Sequence, residues 1–337
     1  MKNTKPYNHY KPSGIAWLGE IPQHWEVRKL KYNADVVLGK MLCNENKGSY
    51  LLKPYLKSKN IQWLKVNVLN VEEMWFSQKE LDQYRIKKGD LVLSEGGEVG
   101  KTCIWNNELD ECYIQNSAHK VTFNDDNVSK FFLFLFFTYG KKGGFESIVN
   151  RVSIGHLTRE KLSHIKCVTP PLSEQTTIAR FLNYKLNKID RFILKKKKLI
   201  QLLNEQKAAI INDAVTKGLD SSVKMKDSGV EWLGGIPEHW EVKKLKGITS
   251  IISKGTTPNT IGKTTMDSGE VRFLKAENIK LNNQMSFEPV NYIDKETDEI
   301  LKRSQLKEND ILFVIAGATI GKVAILNKKY LPCNRLY

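Results

Sequence analysis

Apolar residues along this chain follow two different rhythms. Between residues 173 and 216 they recur at Leu182, Leu186, Ile189 and Ile193, then at Ile200, Leu203, Ile210 and Ala214, with Lys196 and Lys207 in the skipped positions. Steps of four and three alternate, the spacing that lines one stripe of a coiled-coil helix. No Pro or Gly interrupts the stretch, Pro170-Pro171 precedes it and Gly218 follows it. Ser173 is expected as its N-cap, Glu174 in the first turn and Lys217-Gly218 as the stop. A helix of 44 residues would be about 65 Å long, and one apolar stripe of that length needs a partner to cover it.

Elsewhere the rhythm is short. Runs such as Asp90-Leu91-Val92-Leu93 and Ile311-Leu312-Phe313-Val314-Ile315 are bounded by Gly, Asn and Asp and read as strands. The longest apolar stretch, Phe131 to Phe137, is seven residues. It is far short of the roughly 20 that span a bilayer, and is expected as a buried helix or strand. No apolar leader follows Met1-Lys2-Asn3, so the expectation is a cytoplasmic protein without a membrane segment.

The chain also repeats itself. Residues 13–31, SGIAWLGEIPQHWEVRKLK, return at 228–246 as SGVEWLGGIPEHWEVKKLK, identical at 14 of 19 positions at a constant offset of 215. A fainter echo links residues 86–93 to 306–313, and Gly97-Glu98-Val99-Gly100-Lys101 to residues 317–322. Residues 40–80 show no counterpart in 255–300. The expected fold class is α+β, with two repeated mixed α/β domains joined by a long coiled-coil helix. The divisions fall at 1–171, 172–218 and 219–337. A shared frame with divergent loops suits a scaffold that presents different recognition surfaces. The indoles of the repeated box should fill a hydrophobic seam, with His24 and His239 as hydrogen-bonding or packing partners.

Composition narrows the partner. The 53 Lys+Arg outnumber the 37 Asp+Glu, leaving a formal charge of +16, which favours a polyanion. Five scattered cysteines with no CxxC pair offer neither a zinc module nor a disulfide framework. Residues 96–102, GGEVGKT, imitate a phosphate loop but are one residue short, so a glycine turn between strands is expected. Thr169-Pro170-Pro171-Leu172 echoes the motif with which methyltransferases hold a target amine, but lacks its polar and aromatic ends. No nuclease, hydrolase or dinucleotide motif is present, so catalysis has no evident home.

The repeated box, together with Pro170-Pro171-Leu172-Ser173-Glu174-Gln175 and the sequence AVTKGL at 214–219, closely resembles the specificity subunits of type I restriction–modification systems. The resemblance covers essentially the whole chain. It implies two target-recognition domains that each read half of a split site in double-stranded DNA. It further implies conserved helices that set their separation and dock the modification (M) subunits, with the restriction (R) subunit joining the complex. S-adenosylmethionine, ATP and magnesium would serve those partners, and this chain would hold no cofactor or metal. One departure stands out: Tyr337 aligns with Asn116, so the second domain is expected to be incomplete and the helix unpaired within the chain. Pairing with a second copy would complete it.

Base reading requires donors and acceptors on loops, with cations near phosphates. The candidates in the first domain are Lys57, Lys59, Asn60 and Gln62 beside Trp63, then Ser94, Glu95, Gly96, Gly97 and Lys101 at the glycine turn. Gln115, Asn116, His119 and Arg151 follow. In the second domain they are Lys254, Thr256, Thr257, Lys275, Asn278 and Lys322. Leu182, Leu186, Ile189, Ile193, Ile200, Leu203 and Ile210 would bind a partner helix. The run Lys195-Lys196-Lys197-Lys198 reads first as a solvated face, and otherwise as a contact to DNA or to an acidic partner. Other readings are a stand-alone DNA-binding protein, a coiled-coil adaptor, or a truncated relic or recombination cassette.

Overall fold

A computed structural model describes residues 7–149, 155–280 and 283–336. The chain forms two compact units, 1–205 and 206–337, which divide within the long helix.

In the first unit, Thr102–Ile104, Leu91–Ser94, Ala118–Phe123 and Ala34–Leu38 make an antiparallel sheet in that order. Leu91, Val92, Leu93 and Ser94 are all buried because both faces of this sheet are covered. On one face the apolar run Phe131–Phe137 folds as part of the helix Ser129–Lys141. It buries Phe131, Phe132, Leu133 and Phe136 against Leu91, Leu93 and Val121. On the other, Val92 and Cys103 pack with Leu56, Ile61, Trp105 and Ile114. A second sheet places Leu51–Leu56 between Tyr113–Ile114, parallel to it, and Glu72–Phe76, antiparallel. Burial raises the thiols of Cys103 and Cys112 to about 12, so both stay protonated packing groups.

The hairpin that opens the repeated box folds the same way in both units, whereas the strand Glu26–Lys29, paired with Lys166–Thr169, has no counterpart at 241–244. Tyr10–Pro12 pairs with Glu20–Pro22, and Met225–Asp227 with Gly235–Pro237. Ser13 N donates to the Gly19 carbonyl at 2.9 Å, and Ser228 N to Gly234 at 3.0 Å. Among the described residues the indole seam forms only in the first unit, where Trp17 packs edge-on to Tyr139 and Trp25 against the core. Trp232 of the second box is 83% exposed.

The second unit corrects the sequence comparison. Val271–Leu274 lies between Cys333–Arg335, parallel, and Asn291–Ile293, antiparallel, the same arrangement as Leu51–Leu56 and its neighbours. Each central strand runs into one turn of 3-10 helix, Ser58–Asn60 or Ala276–Asn278. Residues 56–61, LKSKNI, therefore match residues 274–279, LKAENI, inside stretches that show no alignment by eye. Unequal loop lengths after each strand conceal the match.

The long helix runs Leu172–Lys217, 46 residues. Ser173 is not its cap: the helix begins one residue earlier, and the amides of Glu174 and Gln175 both donate to the Pro171 carbonyl. Buried Gln175 donates to the Pro170 carbonyl and accepts from Val128 N, tying the first turn to the sheet domain. Glu174 accepts from the Tyr7 hydroxyl at 2.6 Å and Trp25 Nε1 at 3.0 Å, and meets His24 Nε2 at 2.6 Å. Burial opposes its ionisation, but the Tyr7, His24 and Trp25 contacts outweigh burial and hold the carboxyl below its usual range. A depressed carboxyl contributes stability above its unfolded pKa and loses it as pH falls through the folded value. Glu174→Gln is therefore expected to destabilise the first unit by about 1 kcal/mol at neutral pH, since these groups are partly exposed. The gap should begin to narrow as pH falls below the ordinary carboxylate value of about 4, which thermal unfolding at neutral and acid pH checks.

Candidate nucleic-acid interface

Three loops of the first unit meet at one serine. The Ser58 amide donates to Ser117 Oγ at 3.0 Å, while Ser58 Oγ donates to the Ser117 carbonyl at 2.6 Å. The Glu95 amide donates to that carbonyl at 2.8 Å, and Ser117 Oγ donates to Gln115 Oε1 at 2.5 Å. Loops 57–62, 94–101 and 115–117 thus form one continuous edge. Ser117 carried no sequence signal, because a small polar residue becomes a junction only when three strand ends converge on it.

Within this edge the candidates separate by burial. Asn60 is buried: its Oδ1 accepts from Lys57 N at 3.1 Å and its Nδ2 donates to the Asn67 carbonyl at 2.9 Å. Asn278 repeats this in the second unit, accepting from Lys275 N and donating to the Ser286 and Pro289 carbonyls. Ser94 is buried and donates to the Gly96 carbonyl at 2.7 Å. His119 is buried, with Nε2 at 2.5 Å from the Leu157 carbonyl, and burial depresses its pKa so that it stays neutral. These four side chains brace the loops from inside and present nothing to a partner. Arg151 lies outside the described residues.

The rest face outward or line the rim. Lys57 and Lys59 both pair with Glu72, at 2.5 and 2.6 Å, beside the Tyr55 hydroxyl at 2.9 Å. Lys57, Lys59 and Tyr55 hold the Glu72 carboxyl down to about 2. At the glycine turn, Lys101 pairs with Glu98 at 2.7 Å, and Trp63 Nε1 donates to the same carboxylate at 2.7 Å. Lys101 first and Trp63 next keep Glu98 ionised. Lys101 also reaches Gln62 Oε1 at 3.4 Å, joining the Ile61–Val66 hairpin to the turn. Gly97 sits at φ +73°, and the Glu95 carboxylate meets His156 Nδ1 at 2.8 Å beside Gly96. As expected, the turn links two antiparallel strands, Leu91–Ser94 and Thr102–Ile104. Gln115 donates to Asn116 Oδ1 on the rim. Glu72 and Glu98 are the charged partners that sequence reasoning missed: the lysines on Glu72 come from another strand end, and Glu98 joins its near neighbour Lys101 to the distant Trp63.

In the second unit, Lys254 and Thr257 are exposed and Thr256 is half-buried. Lys275 Nζ donates to Asn291 Oδ1 at 3.1 Å. Lys322 closes the matching glycine turn, its carbonyl accepting from Val314 N at 2.9 Å.

Along the long helix the predicted stripe is uncovered. Ile189, Ile193 and Leu203 are exposed, and Ile200 and Ile210 are each 60% exposed, while Leu182 and Leu186 are half-buried. Lys195, Lys196, Lys197 and Lys198 are all exposed. Among the described residues no group of three or more His, Cys, Asp or Glu could hold a metal, and no helix is long and apolar enough to cross a membrane.

Residues 22–204 and 237–337 match the family described as "Type I restriction modification DNA specificity domain". Over 323 residues the chain is 27% identical to the type I restriction enzyme MjaVIII specificity subunit of Methanocaldococcus jannaschii, covering 91% of this chain and 68% of that protein. It is 24% identical over 269 residues to the EcoBI specificity subunit of Escherichia coli, covering 75% and 53%. The chain thus spans between about half and two thirds of the length of these relatives. Among solved structures, the HsdS subunit from Thermoanaerobacter tengcongensis superimposes with a TM-score of 0.44 at 17% identity, over 62% of this chain and 48% of that one.

Proposed function

The chain belongs to the type I restriction–modification DNA specificity family, and from that premise we propose that it reads DNA sequence for catalytic subunits and performs no chemistry itself. The observation that carries this reading is the edge assembled around Ser117. Exposed and half-buried donors, acceptors and lysines from three loops are held there by buried side chains, and the second unit rebuilds the same frame with different loop residues. Backbone contacts from the lysines would set register, and Gln62, Gln115 and Asn116 would address base edges. Each unit would read one half of a split site. The exposed stripe of Leu172–Lys217 would dock the modification subunit, with a second copy of this chain as the alternative occupant, separable by sedimentation of the chain alone. S-adenosylmethionine, ATP and magnesium belong, on this reading, to the partner subunits.

The test is co-expression with the cognate modification subunit, followed by co-purification and methylation mapping of host DNA. A stable complex and a newly methylated motif are expected. The absence of both would overturn the reading.

A further inference from the structure

The two units share a pair of lysines but treat them differently. In the first sheet Tyr55 stands opposite Glu72, and in the second Phe273 stands opposite Asn291. Two residues beyond Tyr55 and Phe273, at the head of the matched 3-10 turns, come Lys57 and Lys275. Lys57 and Lys275 reach back to the same strand position, where the first meets the Glu72 carboxylate and the second the neutral amide of Asn291. The glycine turns match in the same way. Ser94 N donates to the Lys101 carbonyl at 2.9 Å, and Val314 N to Lys322 at 2.9 Å. Lys101 N donates to the Glu98 carbonyl, and Lys322 N to that of Thr319. The carboxylate that clamps Lys101 at 2.7 Å is thus replaced by a hydroxyl. Glu277 stands where the first unit has Lys59, and among the described residues it pairs with neither Lys275 nor Lys322.

Resting on the DNA-recognition reading, we propose that Glu72 and Glu98 are specificity-determining counter-ions that occupy Lys57, Lys59 and Lys101 until a cognate site displaces them. A phosphate must compete with a carboxylate already in place at 2.5–2.7 Å, so non-cognate duplex gains little from these lysines. Among the described residues Lys275 and Lys322 have no such competitor, and they attract any phosphate backbone. The first unit's lysines are therefore the selective phosphate contacts and the second unit's the indiscriminate ones, while base reading stays with both units. Both first-unit carboxyls are held below their usual range by the cations they bind, so they remain charged at neutral pH.

The experiment is a salt titration of binding to a mixed-sequence duplex, read by fluorescence anisotropy. It uses the full chain, with its modification subunit where the two co-purify. Each lysine freed for a phosphate steepens the slope of log K against log salt by about 0.9. Glu72→Gln/Glu98→Gln frees three lysines and is expected to steepen it by about 2.7, which is roughly fortyfold more affinity lost over a fourfold rise in salt. Glu160→Gln makes a unit charge change away from the edge and should leave the slope unchanged. In the second unit, Asn291→Asp and Thr319→Glu should flatten it. Circular dichroism verifies that each variant is folded. If the wild-type chain binds duplex but neither set of variants moves the slope, or Glu160→Gln moves it equally, the proposal falls and DNA recognition stands. If the folded wild-type chain binds no duplex at any salt, both fall.

Discussion

Gly39→Ala is expected to destabilise the first unit by about 3 kcal/mol, because no side chain fits between two stretches of backbone. A Cβ at Gly39 would lie 2.4 Å from the Gln115 carbonyl oxygen and 2.7 Å from the Ile114 carbonyl carbon. Neither neighbour is a side chain that can swing aside. Separating the segments strains the Gly39 N bond to the Ala118 carbonyl, the Lys40 N bond to Ile114 and the Asn116 N bond to Lys40. These bonds seat the 115–117 loop, so DNA binding should fall with stability. The second unit repeats the device: a Cβ at Gly255 would lie 2.1 Å from the Arg335 carbonyl oxygen. Urea unfolding followed by tryptophan fluorescence measures the loss. Gly48→Ala is the control, since Gly48 has φ +97° with nothing within 4 Å and should cost only about 1 kcal/mol of backbone strain. Equal costs at the two positions would refute the close-approach explanation.

Phe145→Ala is expected to cost about 3–5 kcal/mol and to loosen the glycine turn above it. Phe145 is fully buried, edge-on to Tyr139 with ring centroids 4.7 Å apart and to Phe136 at 6.2 Å. Its ring lies so close under Gly100 that a Cβ there would fall 2.2 Å from it, so the ring and the turn shape each other. Removing the ring leaves a cavity and takes away the floor beneath Glu98 and Lys101. Phe145→Leu keeps most of the volume and should cost less than about 1.5 kcal/mol. Thermal unfolding gives the stability change, and hydrogen exchange at residues 95–101 reports on the turn. Fast exchange there in the alanine variant but not the leucine variant is the expected pattern, and unchanged exchange in both would separate the turn from its floor.

Several features of this protein are legible in one dimension because they depend on spacing alone. The 215-residue repeat, the helix from the Pro-Pro pair to Gly218, its apolar stripe and the glycine turn between strands all follow from periodicity and from the backbone limits of Pro and Gly. Residue type indicated which side chains could touch DNA, and it named Lys57, Lys59, Gln62 and Lys101, which the fold does bring together. It could not show that Asn60, Asn278, Ser94 and His119 are enclosed. A polar side chain looks the same in sequence whether it bonds a partner or its own loop, and only folding determines where its hydrogen bonds go. Ser117 as a junction, Glu72 and Glu98 as counter-ions, and Gly39 beneath the Gln115 carbonyl are likewise tertiary facts. Each joins segments from 13 (Glu72 with Lys59) to 76 (Gly39 with Gln115) residues apart in the chain. Spacing and residue type alone specify the periodic elements and the chemistry on offer. Which of those groups remain free to meet another molecule is settled by the fold, because burial and most partner choices depend on residues that become neighbours in three dimensions.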